Sequence, residues 1–454
     1  MQIFSLGVYS ENQDLLSINF MLFWIAVGIF LVSLLFFIFD WVDKTIVAML
    51  GAVMLIVTGV LTWDEAVNAI DFETITLLLG LMITVVIAQH SGIFSWVNTK
   101  IAQKSRGNPL AVFLMFIAFT FFSSTVLNNA TVVILIIPVA IALAQGLGLN
   151  SKLLVIMIAM FSNIGGTLTL IGDPPNTLIG VQVGLSFNDF VKNLFIPVMA
   201  MSAAIILYLI VAYWKNLKPI GKDLGKVFIS NLIIKRIGYQ YANTKIDKYV
   251  VIASLSVIAA TVVAFAIQPW LGLSVGVIGL LSGLILSNLV FKKVPFLEVL
   301  KEIEWDSLLF FSALFVQVGA LEKVGFLTMI TDFIAGFSGN FVALLLIIVW
   351  GIGLASAFIN NIPFVALMIP VIYDLQAKLT GQPDLDLLWW ALALGACLGG
   401  NATIIGSSSG LLAVDMAKKS GVKVSFMDFA KVGFPVTIIS LAVSSVYLVA
   451  VYYL

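Results

Sequence analysis

Residues 162–180 read "SNIGGTLTLIGDPPNTLIG". An acid, two adjacent prolines and several glycines interrupt a long apolar segment there. Proline removes a backbone donor and glycine weakens a helix, so a helix arriving at this run is expected to unwind after Gly172. The surroundings make that costly. Of 454 residues, 61% are hydrophobic and 10% charged. Soluble domains carry about 25% charged residues. The chain is therefore read as an all-α polytopic membrane protein. Unwound backbone cannot face lipid, where each unsatisfied group costs several kcal/mol, but it can line a site buried in protein.

Further runs of this kind lie downstream and upstream. "GGNATIIGSSSGLL" (399–412) resembles "GGTLTLIGDPPNTL" (165–178), and "INNIPFVALMIPVIYDL" (359–375) resembles "LNNATVVILIIPVAIAL" (127–143). "AIDFETITLLLGLMITVVIAQHSGIF" (69–94) pairs with "EIEWDSLLFFSALFVQVGALEKVGFL" (302–327), and "GLSFNDFVKNLFIPV" (184–198) with "KVSFMDFAKVGFPVT" (423–437). Residues 62–200 and 295–440 thus form an internal repeat.

A bilayer span needs about 20 apolar residues. Ten spans are expected near 18–39, 45–62, 72–90, 152–180, 191–213, 249–268, 271–291, 306–322, 387–410 and 431–453. Two apolar blocks, 109–146 and 341–378, are broken midway by "FFSSTVLNNATVVILIIP" (121–138) and "LASAFINNIPFVALMIP" (354–370). Their halves are short for a span, which suits re-entrant hairpins. With both blocks as hairpins and both termini outside, 20 of the 23 Lys and Arg fall inside, eight of them in 215–248. The acidic "TWDEAVNAID" (62–71) falls outside. Making either block a full span destroys this bias. The division is then a first repeat over 1–214, a cytoplasmic basic linker over 215–248 and a second repeat over 249–454. Five spans plus one hairpin per half invert the second copy. Inverted repeats with discontinuous helices are the pattern of secondary transporters, with a site near the midplane.

The site candidates follow from the breaks. In the first half they are Ser124, Asn128, Asn129, Gly172, Asp173 and Asn176. In the second they are Ser356, Asn360, Asn361, Thr403, Gly406, Ser407 and Ser408, with Ser409 beside them. Oxygen-rich, dry surroundings suit Na⁺; half-helix N-termini suit anions. Asp173 is the leading acid because intramembrane carboxylates are functional by default. Its competing role is a plain N-cap of the next half-helix. Cys397 is read as small packing, His90 as interfacial, and Asp71, Glu73 and Glu304 as caps of span starts. Trp389 and Trp390 are read as an interfacial belt. One Cys and one His exclude a disulfide within the chain and leave no zinc or haem cluster. No nucleophile–base set marks an enzyme, no cofactor motif is present, and no Walker sequence is present, so any ATPase would be a separate subunit. No basic patch suits nucleic acid. "MQIFSLGVYSENQD" (1–14) lacks the positive stretch of a cleaved signal.

"SNIGGTLTLIGDPPNTLIG", "NNIPFVALMIPV" (360–371) and "GACLGGNATIIGSSS" (395–409) resemble the arsenite permease/P-protein branch of the ion transporter superfamily. NhaD-type Na⁺/H⁺ antiporters and divalent-anion/sodium symporters are its more distant relatives. The resemblance covers about 45–450. It implies a homodimer in the plasma membrane and an elevator movement. It also implies a Na⁺ clamshell at Ser124, Asn128, Asn129 and Gly172, and a second at Ser356, Asn360, Asn361 and Gly406. The chain departs from the pattern twice. Asn128-Asn129 stands where such relatives often have Asp-Asn, and Gly410 where they often have Asn, which removes a side-chain ligand from the second cation site. No arginine lies in either motif, so charge-based recognition of a dicarboxylate is not expected. The expected function is secondary transport of a small inorganic ion or oxyacid, coupled to H⁺ or Na⁺. Arsenite-type export comes first, a Na⁺/H⁺ antiporter second and a sodium-coupled anion symporter third. An ion channel is the alternative of another class.

Overall fold

The computed structural model describes residues 3–39, 42–105, 108–217, 246–337, 339–379 and 384–454. Most of the basic linker expected over 215–248 lies outside these. No strand occurs among the described residues, and seven helices are long and apolar enough to cross a membrane. The chain is an all-α multi-pass membrane protein.

The hairpin breaks fall where the sequence places them, but the first broken helix ends at Thr167, five residues before the expected Gly172 and just after the helix-weakening pair Gly165-Gly166. The first hairpin consists of Pro109–Ser124 and Asn129–Gly146, the second of Phe341–Ser356 and Asn361–Lys378. The first broken helix consists of Ser151–Thr167 and Pro174–Val183, the second of Leu387–Gly399 and Ser408–Lys419. Local chemistry fixes the starts. Asn108 accepts from the amides of Leu110 and Ala111 while Pro109 opens the helix. Asn150 caps the first broken helix through the Leu153 amide. Ser186–Asp189 and Ser425–Asp428 form capping boxes at repeat-related positions, ahead of the long helices Phe187–Ala212 and Phe426–Tyr453. The spans expected at 45–62 and 271–291 are shorter than a bilayer: Lys44–Val57 and Val275–Val290.

The chain forms two compact units, and each draws on both sequence repeats. One comprises Met1–Ile75, Glu304–Leu344 and Ala366–Leu385. Within it, Lys44–Val57 packs on Trp305–Lys323. The amide of Gln317 donates to Ala48 O at 2.8 Å. Asp71 caps the following helix through the amides of Glu73 and Thr74, as expected. Lys323 pairs with Glu65 at 2.7 Å. That ammonium, with the Thr62 capping bonds, holds the Glu65 carboxyl down at about 2.

The other unit comprises Thr76–Ile303, Leu345–Val365 and Asp386–Leu454. Both arms of the first hairpin pack on Ser151–Thr167. That helix, from Leu153 onward, and all of Leu387–Gly399 are buried, consistent with their all-round apolar character. The expected interfacial role of Trp389 and Trp390 is overturned here. Both are buried, at 1% and 4% exposure, and Trp390 stacks edge-on against Phe190. A tryptophan pair at a helix start signals a lipid headgroup belt only if nothing else covers it. His90 ends its helix as expected and lies 3.0 Å from Glu302.

Candidate ion and substrate site

All the candidate residues lie in the second unit. The first site is built around the break after Thr167. Pro174 and Pro175 supply the first two positions of the resumed helix and donate no N–H. The side chain of Asp173, at the N-cap, makes no capping bond; the amide of Asn176, at the third position, donates to Asp173 O. The side chain turns instead to the hairpin tip, where Asn129 Nδ2 donates to Asp173 Oδ1 at 3.0 Å. Asp173 is the one buried carboxylate among the described residues, and its Oδ2 makes no hydrogen bond. The thiol of Cys397 lies close to Asp173 and donates to Asn176 Oδ1 at 3.4 Å.

The backbone closes the same joint. Asn129 N donates to Gly172 O at 3.2 Å. Thr169 Oγ1 donates to Thr125 O at 2.6 Å and accepts from Gly172 N at 3.2 Å. A Cβ on Gly172 would collide with Ser124 O, so only glycine permits this approach. Asn128 half-caps the second arm through Ala130 N. Asn176 is committed: its amide donates to Thr167 O and Thr169 O, closing carbonyls freed at the break. Ser124 Oγ and Thr120 Oγ1, one turn apart on the first arm, are buried without a hydrogen bond.

The second site repeats the joint with different chemistry. Thr403 Oγ1 donates to Ala357 O and accepts from Gly406 N at 3.3 Å. A Cβ on Gly406 would press on Ser356 O. Ser407 caps its helix through Gly410 N at 3.1 Å. Ser356 Oγ donates to Ala396 O at 2.7 Å. Asn360 Oδ1 accepts from Ile362 N, and its Nδ2 reaches Ser408 Oγ at 3.3 Å. Asn361 is buried at the same tip.

Two residues that sequence reasoning passed over join the halves. Asn163 Oδ1 accepts from Asn129 Nδ2 at 3.0 Å and from Ser409 Oγ at 2.5 Å. Its Nδ2 donates to Asn401 Oδ1 at 2.8 Å. The chain Asp173–Asn129–Asn163–Asn401 thus runs from the first broken helix, through the first tip, to the second broken helix. The usable signal was an asparagine inside each of two otherwise apolar runs, where polar residues glue helices together.

The oxygens of Ser124, Asn128, Asn129 and Gly172 are hard donors, which suits Na⁺ rather than a soft metal. Ser124 Oγ is unpartnered, and the Gly172 carbonyl, accepting one bond, keeps a second lone pair. No group of three or more His, Cys, Asp or Glu gathers among the described residues. None of the described Lys or Arg residues is buried.

Discontinuous helices facing polar hairpin tips, with no buried Lys or Arg among the described residues, are the architecture of a membrane transporter. Residues 34–395 match the citrate transporter family, CitMHS, and the chain belongs to that family. It is 33% identical over 430 residues to an uncharacterized transporter of Mycobacterium tuberculosis, covering 93% of this chain and 97% of that one. It is 31% identical to the mouse P protein over 489 residues, covering 90% of this chain and 58% of the longer relative. The fold is similar to that of the Alcanivorax borkumensis YdaH transporter, with a TM-score of 0.51, 16% identity and coverage of 84% and 86% of the two chains.

Proposed function

We propose that this transporter is a secondary carrier for a small inorganic ion or oxyacid, driven by H⁺ or Na⁺. The observation that carries the reading is Asp173, a buried acid that makes no side-chain cap and is tied to a hairpin tip by Asn129. Protonation of Asp173, or a cation held by Ser124, Asn128, Asn129 and Gly172, would alter how firmly the tip closes on the broken helix. Alternating access would then move hairpins and broken helices together, elevator fashion, in a homodimer of the plasma membrane. Both termini would lie outside and 215–248 in the cytoplasm.

Arsenite-type export is the first specific assignment, since an uncharged oxyacid needs no cationic partner. A Na⁺/H⁺ antiporter is the second: Asp173 alone supplies both a cation ligand and a proton carrier. The family description brings sodium-coupled transport of an anion such as citrate into consideration. The absence of a buried Lys or Arg among the described residues counts against it.

The test is flux into proteoliposomes under an imposed pH or Na⁺ gradient, with arsenite, Na⁺ and citrate as cargoes. Gradient-driven movement of arsenite or Na⁺ is expected, with saturable counterflow separating a carrier from a channel. It should fall by about 100-fold in Asp173→Asn, the upper end of ordinary coupling between sites. Unchanged flux and pH dependence in that variant would remove Asp173 from the mechanism. Citrate counterflow without arsenite or Na⁺ exchange would replace the first two assignments by the third.

A further inference from the structure

A cavity of about 240 Å³ lies behind the first hairpin tip. Phe119, Ser123 and Leu127 of the hairpin form one wall, Phe94 another, and Ser254 and Leu255 of helix Lys248–Ala266 a third. It lies wholly within the second unit. Apolar cavities of about 150 Å³ already take up benzene-sized molecules. This one is larger, and its walls are almost entirely hydrocarbon.

Three features point to its occupant. Leu255, on its rim, is 51% exposed and shares a helix face with Ile252, which is 65% exposed. The outer apolar surface of the helix therefore continues into the cavity. Ser254 lines the wall at 1% exposure, and its Oγ, buried, makes no hydrogen bond. A buried hydroxyl without a partner costs free energy unless a ligand supplies one. Finally, the cavity has a direction. Toward Thr261 and Val262 it narrows to a space of about 10 Å³, bordered by Val126, Leu127 and Ile258 of the same cavity, so its roomy part lies at the Ser254 end. From residue 254 to 262 the helix rises about 12 Å. Ser254 is near the end that carries Asp247, paired with Lys293 at 2.5 Å. The cavity thus has a hydrogen-bond donor toward the charged end of the helix and hydrocarbon on its other walls.

We propose that this cavity holds one acyl chain of a bilayer phospholipid, its ester carbonyl accepting from Ser254 Oγ and its methylenes lying against the back of the hairpin tip. A chain seated there props Ser123, Val126 and Leu127, the residues that lead into Asn128 and Asn129. The site is defined by shape and one hydroxyl, so it stands whatever cargo the protein moves.

The experiment uses the full chain in detergent with a phosphatidylcholine bearing a photoreactive group on one acyl chain. Irradiation should place label on peptides containing Phe94, Phe119 or Leu255, and unlabelled phosphatidylcholine should compete. Ala88 also lines the cavity; Ala88→Phe and Ser254→Met each fill it from a different helix, and labelling of these peptides should disappear in each. Ser254→Ala keeps the space and removes one neutral hydrogen bond, so retention should weaken about five-fold. Elution as a single species and an unchanged melting curve qualify each variant; two filling variants protect against one failing to fold. Label scattered over exposed helix faces and indifferent to both filling variants overturns the proposal. So does competition by detergent but not by phosphatidylcholine, or cross-linking of two protein copies through Leu255.

Discussion

The helix that resumes at Pro174 and the helix that resumes at Ser408 start at repeat-related positions but treat their leading residue differently. Ser407 caps its own helix through Gly410 N. The Asp173 side chain caps nothing, although Asn176 N stands where Gly410 N does; that amide donates to Asp173 O instead. The contrast spreads outward. In the first half, Asp173 Oδ2, Ser124 Oγ and Thr120 Oγ1 are buried without hydrogen bonds. In the second, Ser356, Ser407, Ser409 and Thr403 all have partners. Orphaned buried polar groups are rare in proteins, and each asks for an explanation such as an ion or proton. One joint therefore keeps buried polar groups without partners, while the repeat-related joint satisfies its own.

Seven substitutions, in four comparisons, would break or sharpen this contrast. The largest effect belongs to the leading residues. Asp173→Asn should cut gradient-driven flux by the amount given above. Ser407→Ala should cost only a helix cap, about 1 kcal/mol, read as a lower melting temperature with flux largely kept. Equal loss of flux in both variants would end the asymmetry. Next come Asn163 and Cys397, which occupy repeat-related positions. Asn163→Ala strands amide and hydroxyl partners from both halves and should cost about 2 kcal/mol. Cys397→Ala leaves a one-atom cavity and should cost about 1 kcal/mol. Denaturation in detergent measures both, and the reverse order would mean that the asparagine chain does not bind the halves together.

Smaller still is the pair of tip serines. Ser356→Ala loses a bond to Ala396 O and should destabilise by about 1 kcal/mol, whereas Ser124→Ala loses none and should melt like the parent. Only Ser124→Ala should abolish a Na⁺-dependent rise in melting temperature, since a ligand stabilises the state it binds. The smallest effect lies outside the membrane. Glu65 sits at about 2 in the folded chain, below the usual value of about 4.3. Its pairing with Lys323 therefore stabilises fully above that usual value, and the contribution fades as pH falls through the folded one. Glu65→Gln should flatten the acid limb of unfolding in this window. The repeat-related helix Phe296–Lys301 has no side-chain cap, so the device belongs to the first half alone.

Much of this fold was legible because helix breakers act locally. Asn-Asn before an apolar run, and Gly-Asp-Pro-Pro or Gly-Ser-Ser-Ser within one, announce their effect without reference to distant residues. The hairpins over 109–146 and 341–378 fall on the expected residues for that reason. What stayed hidden depends on partners far along the chain. Asn163 meets Asn401 across 238 positions, and nothing local to either says so. Asn176 could be placed in the break, but not its commitment to the carbonyls of Thr167 and Thr169. Trp389 and Trp390 carry the composition of an interfacial belt; only packing reveals that they are buried.

Thr169 and Thr403 each fasten a broken helix to a hairpin through a main-chain carbonyl, that of Thr125 in one half and Ala357 in the other. A carbonyl is offered by every residue type, so the fastening makes no demand on what its partner becomes. Such a joint can be inherited intact while everything around it drifts. After a duplication, one copy could keep an acid and the other exchange it for serine without either half losing its shape. The joint separates the geometry that must be copied from the side chains that are free to be rewritten.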